Sequence, residues 1–576
     1  MAGIRVATTT QWGNHVTESN DISRRTFLSR GAAVGGAVVL AGAAGSALSA
    51  CSTSSSSSSS TAAASGSKPG VGTGTPVRGG SLTVGTVAEV DGFYSPANHW
   101  DANGYLYALA IYDPLCAIAA DGSIQPYLCQ SITPNSTFDT WTMTLRPNIK
   151  FSDGSALTSA VVVSNYQVLN ASLLTGQALT QITSVTAPDA MTVVYKLAAP
   201  NPGFAAGLTT QVGFVFGQAM IDAVKAGNSR PTPVGTGPFI YQSWEPNNHF
   251  TATRNPNYWR AGLPYLDQIT YRPIPDTVQR EATLKTGGID MAMSTDPNTI
   301  KRFSGQTGYQ VVDTLTGVLG EPSMAFIMLN TVVAPTNDLR IRQALAMSLD
   351  QATVQKIFGG GYAKPATGLF LSDSQYYSDT GYPKYNPAAA KKLVAAYAAE
   401  HGTPSLQLLT ITDPRLAQVV QIIQQMWNQV GFDVTIGQVE QATIINDFIA
   451  GKFQAATSYQ FGTIDPDLNY VWWSTTTAKP VGSIALNFAR NSDPVIEQNM
   501  LTGRHSTDKA ARVKAYQTVN EQFAKDLPYL WLEQYIFSEV ATTRVQNFAN
   551  PTLPSGAPQY AFDEGIFVPT QIWLAK

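Results

Sequence analysis

The first 78 residues can contribute almost nothing to a folded core, and this divides the chain before any other feature is weighed. Ser23-Arg-Arg-Thr-Phe-Leu28 carries an arginine pair, Arg24 and Arg25. A Gly/Ala/Val stretch from Gly31 to Ala47 follows, and then Leu48-Ser-Ala-Cys51. This is the order of a twin-arginine export signal ending in a lipoprotein cleavage box. Residues 1–50 are therefore expected to be removed, and Cys51 to carry lipid on its sulfur and hold the chain at a membrane outside the cytoplasm. The other reading of the stretch is a transmembrane helix, since it is about long enough to span. Gly and Ala supply little transfer energy, however, and Cys51 stands where lipidation needs it. Residues 51–78 are mostly Ser, Ala, Gly, Thr and Pro. Such a segment cannot bury enough apolar area to offset its ordering entropy, so a flexible tether is expected there.

The remaining body, roughly 500 residues, is too long for one core and predicts two or three subdomains. A formal net charge of −3 argues against nucleic acid as a partner, because phosphate binding needs a basic face. No second run is long and apolar enough to cross a bilayer. Beyond Cys51 the cysteines are Cys116 and Cys129. In an exported chain they are a candidate disulfide, worth roughly 3 kcal/mol for a loop of that length; two buried free thiols are the alternative. The histidines past the leader, His99, His249, His401 and His505, do not stand at zinc-ligand spacing, so no metal and no cofactor is expected.

Both helical and strand periods occur. Leu82 and Val84, then Trp141, Met143 and Leu145, then Met191, Val193, Tyr195 and Leu197 alternate with polar residues as half-buried strands do. Leu416, Val419, Val420, Ile423, Met426, Trp427 and Val430 share one helical face. Gly431 stops that helix, and Phe432, Val434 and Ile436 begin a strand. Asn386-Pro387 reads as a helix start, with Asn as cap and Pro in the first turn. Val513, Tyr516, Val519 and Phe523 mark another helix before Pro528. The class is α/β.

Eight segments stand in one order: Arg78-Gly-Gly-Ser-Leu-Thr-Val84, Trp141–Gly154, Val234-Gly-Thr-Gly-Pro-Phe239, Arg254-Asn-Pro-Asn-Tyr-Trp259, Leu339–Leu345, Tyr385–Leu393, Asp465-Pro-Asp467 and Asp526-Leu-Pro-Tyr-Leu530. Together they resemble the extracytoplasmic solute-binding proteins of ABC importers, family 5, which includes oligopeptide, dipeptide and nickel binders. The resemblance implies a two-lobed fold of the type II periplasmic-binding-protein kind with a small inserted subdomain. Lobe I would be 79–113, 229–315 and 531–576, the inserted subdomain 114–228 and lobe II 316–530. A small solute would be enclosed as the lobes close. The partners implied are a membrane permease and a separate ATPase, since this chain has no phosphate-binding Gly-Lys-Thr/Ser loop. A monomer is expected.

In the peptide binders of this family an acidic residue three positions before the acidic-Pro turn pairs with the ligand's amino group. Here that position is Gly462. Either Asp465 or another acid, such as Glu89, Asp91 or Glu321, takes over, or the solute lacks an ammonium, since a buried ammonium without a counter-charge is costly. A peptide is the first expectation, and an oligosaccharide or opine-like compound the alternative. The candidate ligand residues are Tyr94, Trp100, Tyr105, Gln460, Phe461, Gly462 and Asp465; aromatic faces can stack on sugar rings or enclose apolar side chains. Of Gln460 and Phe461, alternation lets only one point inward.

A penicillin-recognising serine hydrolase is a remote alternative. Ser65-Gly-Ser-Lys68, Ser506-Thr-Asp-Lys509 and Lys285-Thr-Gly287 are fragments of its motifs. The mechanism needs the Ser–Lys pair at the start of a buried helix with the Lys-Thr-Gly strand beside it. Ser65 falls in the tether, and Ser506 follows Lys285 in the wrong order. No enzymatic activity is expected.

Overall fold

The computed structural model describes residues 68–98, 100–315, 319–560 and 562–576. Arg24, Arg25, Cys51, His99 and most of the expected tether lie outside the described residues.

Two large sheets carry the body. The first has seven strands in the order Tyr309–Asp313, Ser538–Thr542, Met291–Ser294, Ser81–Thr86, Gln268–Pro273, His249–Arg254 and Phe239–Glu245. Its centre is parallel, with Ser81–Thr86 flanked by Gln268–Pro273 and Met291–Ser294. A central strand is covered on both faces, so Leu82 and Val84 are fully buried, as their alternation predicts. The helix Ala102–Ile111 closes one face, packing Leu106 and Tyr107 among Phe250, Tyr271 and Met291. Leu284, Ile289, Phe303 and Val540 form a smaller core on the other face.

The second sheet has five strands in the order Asp433–Val439, Ser405–Ile411, Ala455–Gln460, Met324–Leu329 and Tyr529–Gln534. The helix Pro414–Gln429 packs on it through Leu416, Val419, Val420, Ile423 and Trp427. Its start is fixed by Asp413, whose carboxylate accepts from Leu416 N at 2.8 Å. Gly431, at φ 108°, turns the chain into the next strand. Asn386 caps Pro387–His401 by accepting from Ala389 N.

A third, four-stranded sheet, in the order Cys129–Pro134, Thr140–Leu145, Thr192–Leu197 and Ile182–Thr186, has its own core around Trp141, Met143, Val193 and Tyr195. The result is a two-lobed α/β fold with a smaller inserted subdomain.

The chain passes between the large sheets twice, and the two crossings are bonded together. Thr314 N donates to Phe537 O at 3.0 Å, Phe537 N to Thr314 Oγ1 at 3.0 Å, and Gln534 Nε2 to Thr314 O at 2.9 Å. The expected lobe boundary at 530/531 needs correction. Tyr529–Gln534 pairs along its length with Met324–Leu329, so the second sheet keeps the chain through Gln534.

The tether expectation is corrected as well. From Lys68 the chain is docked on the first lobe: Gly70 N donates to Gln310 Oε1 at 2.8 Å, Ala549 N to Gly70 O at 2.9 Å, and Thr73 N to Gln546 Oε1 at 2.9 Å. Composition counts apolar burial and misses these side-chain amides, which satisfy the backbone of a segment with no core of its own.

Candidate solute-binding cleft

The cleft face of the second lobe follows from strand register. Met324–Leu329 and Ala455–Gln460 are antiparallel, with Met324 opposite Gln460 and Ala325 opposite Tyr459. The bridge between Glu321 and Thr463 continues that register. Alternation places Tyr459 and Phe461 on one face with Ser323, whereas the side chains of Glu321 and Thr463 are bonded within the second lobe, to Ser374 Oγ and Asn469 Nδ2. Tyr459 stacks on Tyr535 at 4.5 Å with parallel rings and meets Phe537 edge-on at 5.7 Å. Phe461 stands edge-on to Tyr459 at 5.5 Å. Gln460 faces the other way, buried, and its Oε1 accepts from Trp473 Nε1 at 2.9 Å within the second lobe.

The first lobe brings two carboxylates to this face. Glu564 is at the tip of the hairpin joining Phe562–Asp563 to Ile566–Phe567. Glu564 and Gly565 lie at φ 52° and 81°, the pair of left-handed residues that a two-residue type I′ turn requires. A Cβ on Gly565 would meet the terminal methyl of Met293 at 2.6 Å, which a flexible side chain can relieve, so it is the positive φ that calls for glycine there. Glu564 Oε1 accepts from Gly462 N at 2.6 Å and from Ser323 Oγ at 2.5 Å. Asp101 caps the helix Ala102–Ile111 through Gly104 N at 3.0 Å, and its other oxygen accepts from Gln441 Nε2 at 2.5 Å. Both sets of bonds join one lobe to the other, so the cleft is closed. Burial pushes the Asp101 carboxyl up, and the same burial, with the charges of Glu564 and Asp101 added, pushes the Tyr459 hydroxyl well above its ordinary range. The inserted subdomain also reaches the second lobe, where His505 Nδ1 lies 2.6 Å from Pro200 O.

A further buried acid, Glu321, is bonded within the second lobe. It is 8% exposed, and its Oε1 accepts from Ser374 Oγ at 2.7 Å. Burial, reinforced by the charge of Asp373, raises its carboxyl to about 7. Of the other acids weighed for this role, Glu89 is engaged within the first lobe by Trp244 Nε1 and Asn247 N, and Asp91 is exposed.

Several sequence candidates belong elsewhere. Tyr94 packs on Phe216 at 5.7 Å; Trp100 stacks on Tyr112 at 6.1 Å and donates to Gly92 O. Tyr105 packs on Phe214, and its hydroxyl accepts from Gln211 N at 2.7 Å. These three fasten the helix Ala102–Ile111 to the segment at 211–216. Asp465 is structural: it caps Pro466–Asn469 through Asp467 N and takes Arg512 Nη2 on both oxygens at 2.7 Å. Cys116 and Cys129 are buried free thiols with sulfurs 3.9 Å apart, so the expected bridge is not formed. Phe461 and Gly462 are the candidates that do lie at the cleft. Glu564, which sequence reasoning missed, had only a local signal: the Glu-Gly pair of a hairpin turn. Among the described residues no group of His, Cys, Asp and Glu could hold a metal, and no helix is long and apolar enough to cross a membrane.

Residues 123–480 match the family description "Bacterial extracellular solute-binding proteins, family 5 Middle", well over half of the chain. The chain is 26% identical over 468 residues to the glutathione-binding protein GsiB of Pectobacterium atrosepticum, covering 77% of this chain and 88% of that one. Two solved structures share the fold. The binding protein AgaA of A. tumefaciens R10, in complex with agropinic acid, gives a TM-score of 0.76 at 22% identity, covering 86% of this chain and 99% of that one. The periplasmic binding protein DppA of Helicobacter pylori, in complex with the peptide STSA, gives 0.76 at 20%, covering 87% and 99%.

A two-lobed fold closed on an acidic, aromatic cleft defines a solute receptor. The chain belongs to the bacterial extracellular solute-binding proteins of family 5, the binding components of ABC importers. It is a transport protein and not an enzyme. The hydrolase fragments agree with this: Lys285 ends the helix Thr277–Lys285 instead of lying on a strand, and Ser506 follows the end of Pro494–His505.

Proposed function

We propose that this receptor captures a peptide or a peptide-like solute between its lobes and delivers it to a membrane permease driven by a separate ATPase. The observation that carries this reading is the lobe junction itself, where the first-lobe carboxylates Glu564 and Asp101 meet the Gly462 backbone and the Tyr459–Tyr535 stack; a solute's own amides and ammonium can compete for these same groups. Main-chain donors suit a solute with its own amides, and acids suit a solute with an ammonium. The similarity to a glutathione-binding protein and to a peptide-bound receptor supports it. The likeness to a receptor in complex with agropinic acid favours a second reading, an opine-like compound, because an amino-acid-derived solute would meet the same acids without a free peptide N-terminus.

The chain works as a lipid-anchored monomer on the outer face of the cytoplasmic membrane, a reading supported by Arg24, Arg25 and Cys51. The lobes divide as 79–113, 229–315 and 535–576 against 316–534, with 114–228 inserted. Native mass spectrometry of the protein as purified, followed by calorimetry with the molecule found, tests the solute. A peptide or amino-acid conjugate is expected, and a neutral oligosaccharide would refute the reading.

A further inference from the structure

The inserted subdomain is fastened to the first lobe on one side. Ser172 Oγ donates to Pro96 O at 2.6 Å, Gln211 Nε2 to Ser95 O at 3.1 Å and to Asn98 O at 3.0 Å, and Gly217 N to Val234 O at 2.8 Å. It therefore moves with that lobe. On its other side the loop Pro200-Asn-Pro-Gly203, which follows the strand Thr192–Leu197, reaches the second lobe. His505 Nδ1 lies 2.6 Å from Pro200 O; a carbonyl oxygen only accepts, so that ring nitrogen carries the proton. Asn201 is buried, and its Nδ2 lies 3.5 Å from Asp467 Oδ2. A Cβ on Gly203 would stand 3.9 Å from Asp465 Oδ2, so the loop and the turn are within van der Waals reach.

Both partners are held in place by their own lobes. Asn201 N donates to Phe138 O at 2.9 Å, its side-chain oxygen accepts from Gly203 N at 2.8 Å, and Nδ2 also donates to Gln181 Oε1 at 2.8 Å. On the second lobe, Arg504 Nε donates to the other oxygen of Asp467 at 2.7 Å, and the guanidinium lies 3.7 Å from the centre of the Tyr470 ring. His505 ends the helix Pro494–His505, where a proton-bearing ring suits the partial negative charge of the C-terminus. Asp467 follows shortly after Gly462, whose N–H is held by Glu564 of the first lobe at 2.6 Å. One short segment of the second lobe is thus gripped at two points, by the first lobe at Gly462 and by the inserted subdomain at Asp467.

We propose that the inserted subdomain is a clasp outside the cleft: the loop 200–203 fastens onto Asp467 and His505 and holds the two lobes together, with Asn201 and His505 as its positioning residues. A contact made only in the closed form favours that form by its own free energy, whatever occupies the cleft. The apparent affinity of a two-state receptor is its intrinsic affinity scaled by the fraction in the competent form. The clasp therefore strengthens binding of every accepted solute by one common factor and adds nothing to selectivity. The cleft chooses the solute, and the clasp sets how much of the receptor is closed. Because it lies apart from the cleft, the clasp can open without any change in the groups that face the solute. The inference holds for a peptide and for an opine-like compound alike.

The test uses the full chain, as purified and after refolding free of solute. Wild type is compared with His505→Ala, with Asn201→Asp and with the exchanged pair Asn201→Asp/Asp467→Asn. Asn201→Asp keeps the acceptor for Gly203 N, and Gln181 can turn its amide to donate, but two carboxylates then face one another across the junction. The exchanged pair restores one donor and one acceptor there, and the asparagine placed at 467 still accepts from Arg504. Small-angle scattering reads the radius of gyration, and amide hydrogen exchange reads the segments 200–203 and 459–467. Asn201→Asp is expected to lower the ratio of closed to open receptor at least about tenfold, with a larger radius and faster exchange in both segments. His505→Ala should move both readings less, in the same direction, and the exchanged pair should return them to wild type. Melting curves verify that each variant is folded. Equal radii and exchange in wild type and either single variant, in both preparations, would refute the clasp. So would an expansion that the exchanged pair fails to reverse, since the effect would then belong to the loop and not to the contact, and so would a lower melting temperature with an unchanged radius. Each of these results leaves the reading of the solute standing.

Discussion

Replacing Glu321 by Gln in the solute-free protein isolates the cost of this carboxylate. Its folded carboxyl titrates at about 7, against 4.5 for the unfolded chain. Below about pH 4.5 the group is protonated in both states and imposes no penalty. Between 4.5 and 7 the native state binds the extra proton, so stability falls as pH rises, and the loss is complete above about pH 7. At about 1.4 kcal/mol for each pH unit this amounts to roughly 3 kcal/mol. The groups facing Glu321 are the hydroxyl of Ser374, the carboxylate of Asp373 with its partner Lys364, and the hydroxyl of Tyr376. Asp373 is held below the usual carboxylate range, chiefly by Lys364, and does not titrate in this window. Gln keeps the bond to Ser374 and removes the titration. Calorimetric melting of refolded wild type and Glu321→Gln from pH 4 to pH 8 is expected to give equal midpoints at pH 4 and a variant more stable by a few °C at pH 8. Parallel curves, or a variant less stable at every pH, would refute the argument that this acid is buried without a counter-charge.

What the sequence discloses is what is decided locally. Pro414–Gln429 is legible because Asp413 caps it, one face carries Leu416 through Trp427, and Gly431 ends it, all within one stretch of chain. The strand around Trp141 and Met143 is legible for the same reason. The aromatic candidates are not: whether Trp100 faces a cleft or a core depends on where Tyr112 and Phe214 arrive. Asp465 is ambiguous in sequence, since a carboxylate before proline can cap a turn or meet a ligand; Arg512, 47 positions away, decides it. Glu564 is 102 positions from the amide it holds, and only the fold makes that meeting. Gly70 reaches Gln310 across 240 positions, beyond what a Ser/Gly-rich composition can disclose. A vacancy is the hardest of all to interpret. The sequence shows that Gly462 lacks an acid, but whether the acid is missing from the site or merely comes from another strand is a question of tertiary structure.

Three further outcomes are expected. Cys51→Ser should abolish lipid attachment and release the protein from membranes; a Cys51→Ser protein that still partitions with membranes through its N-terminus would mark the leader as a permanent anchor. Asp465→Asn should destabilise the protein by about 2 kcal/mol through the weakened Arg512 pair and leave solute affinity unchanged by calorimetry, whereas a selective loss of affinity would return Asp465 to the ligand site. Gly462→Ala should cost about 1–3 kcal/mol of stability, because the added Cβ meets Glu321 O at 2.9 Å and Ser323 N at 3.2 Å, backbone atoms that cannot turn aside. Gly462→Asp inherits that clash and adds a charge next to Glu564, which already accepts from the Gly462 N–H, so it should weaken solute binding; tighter binding by Gly462→Asp than by Gly462→Ala would show that the site lacks negative charge and that Glu564 does not supply it.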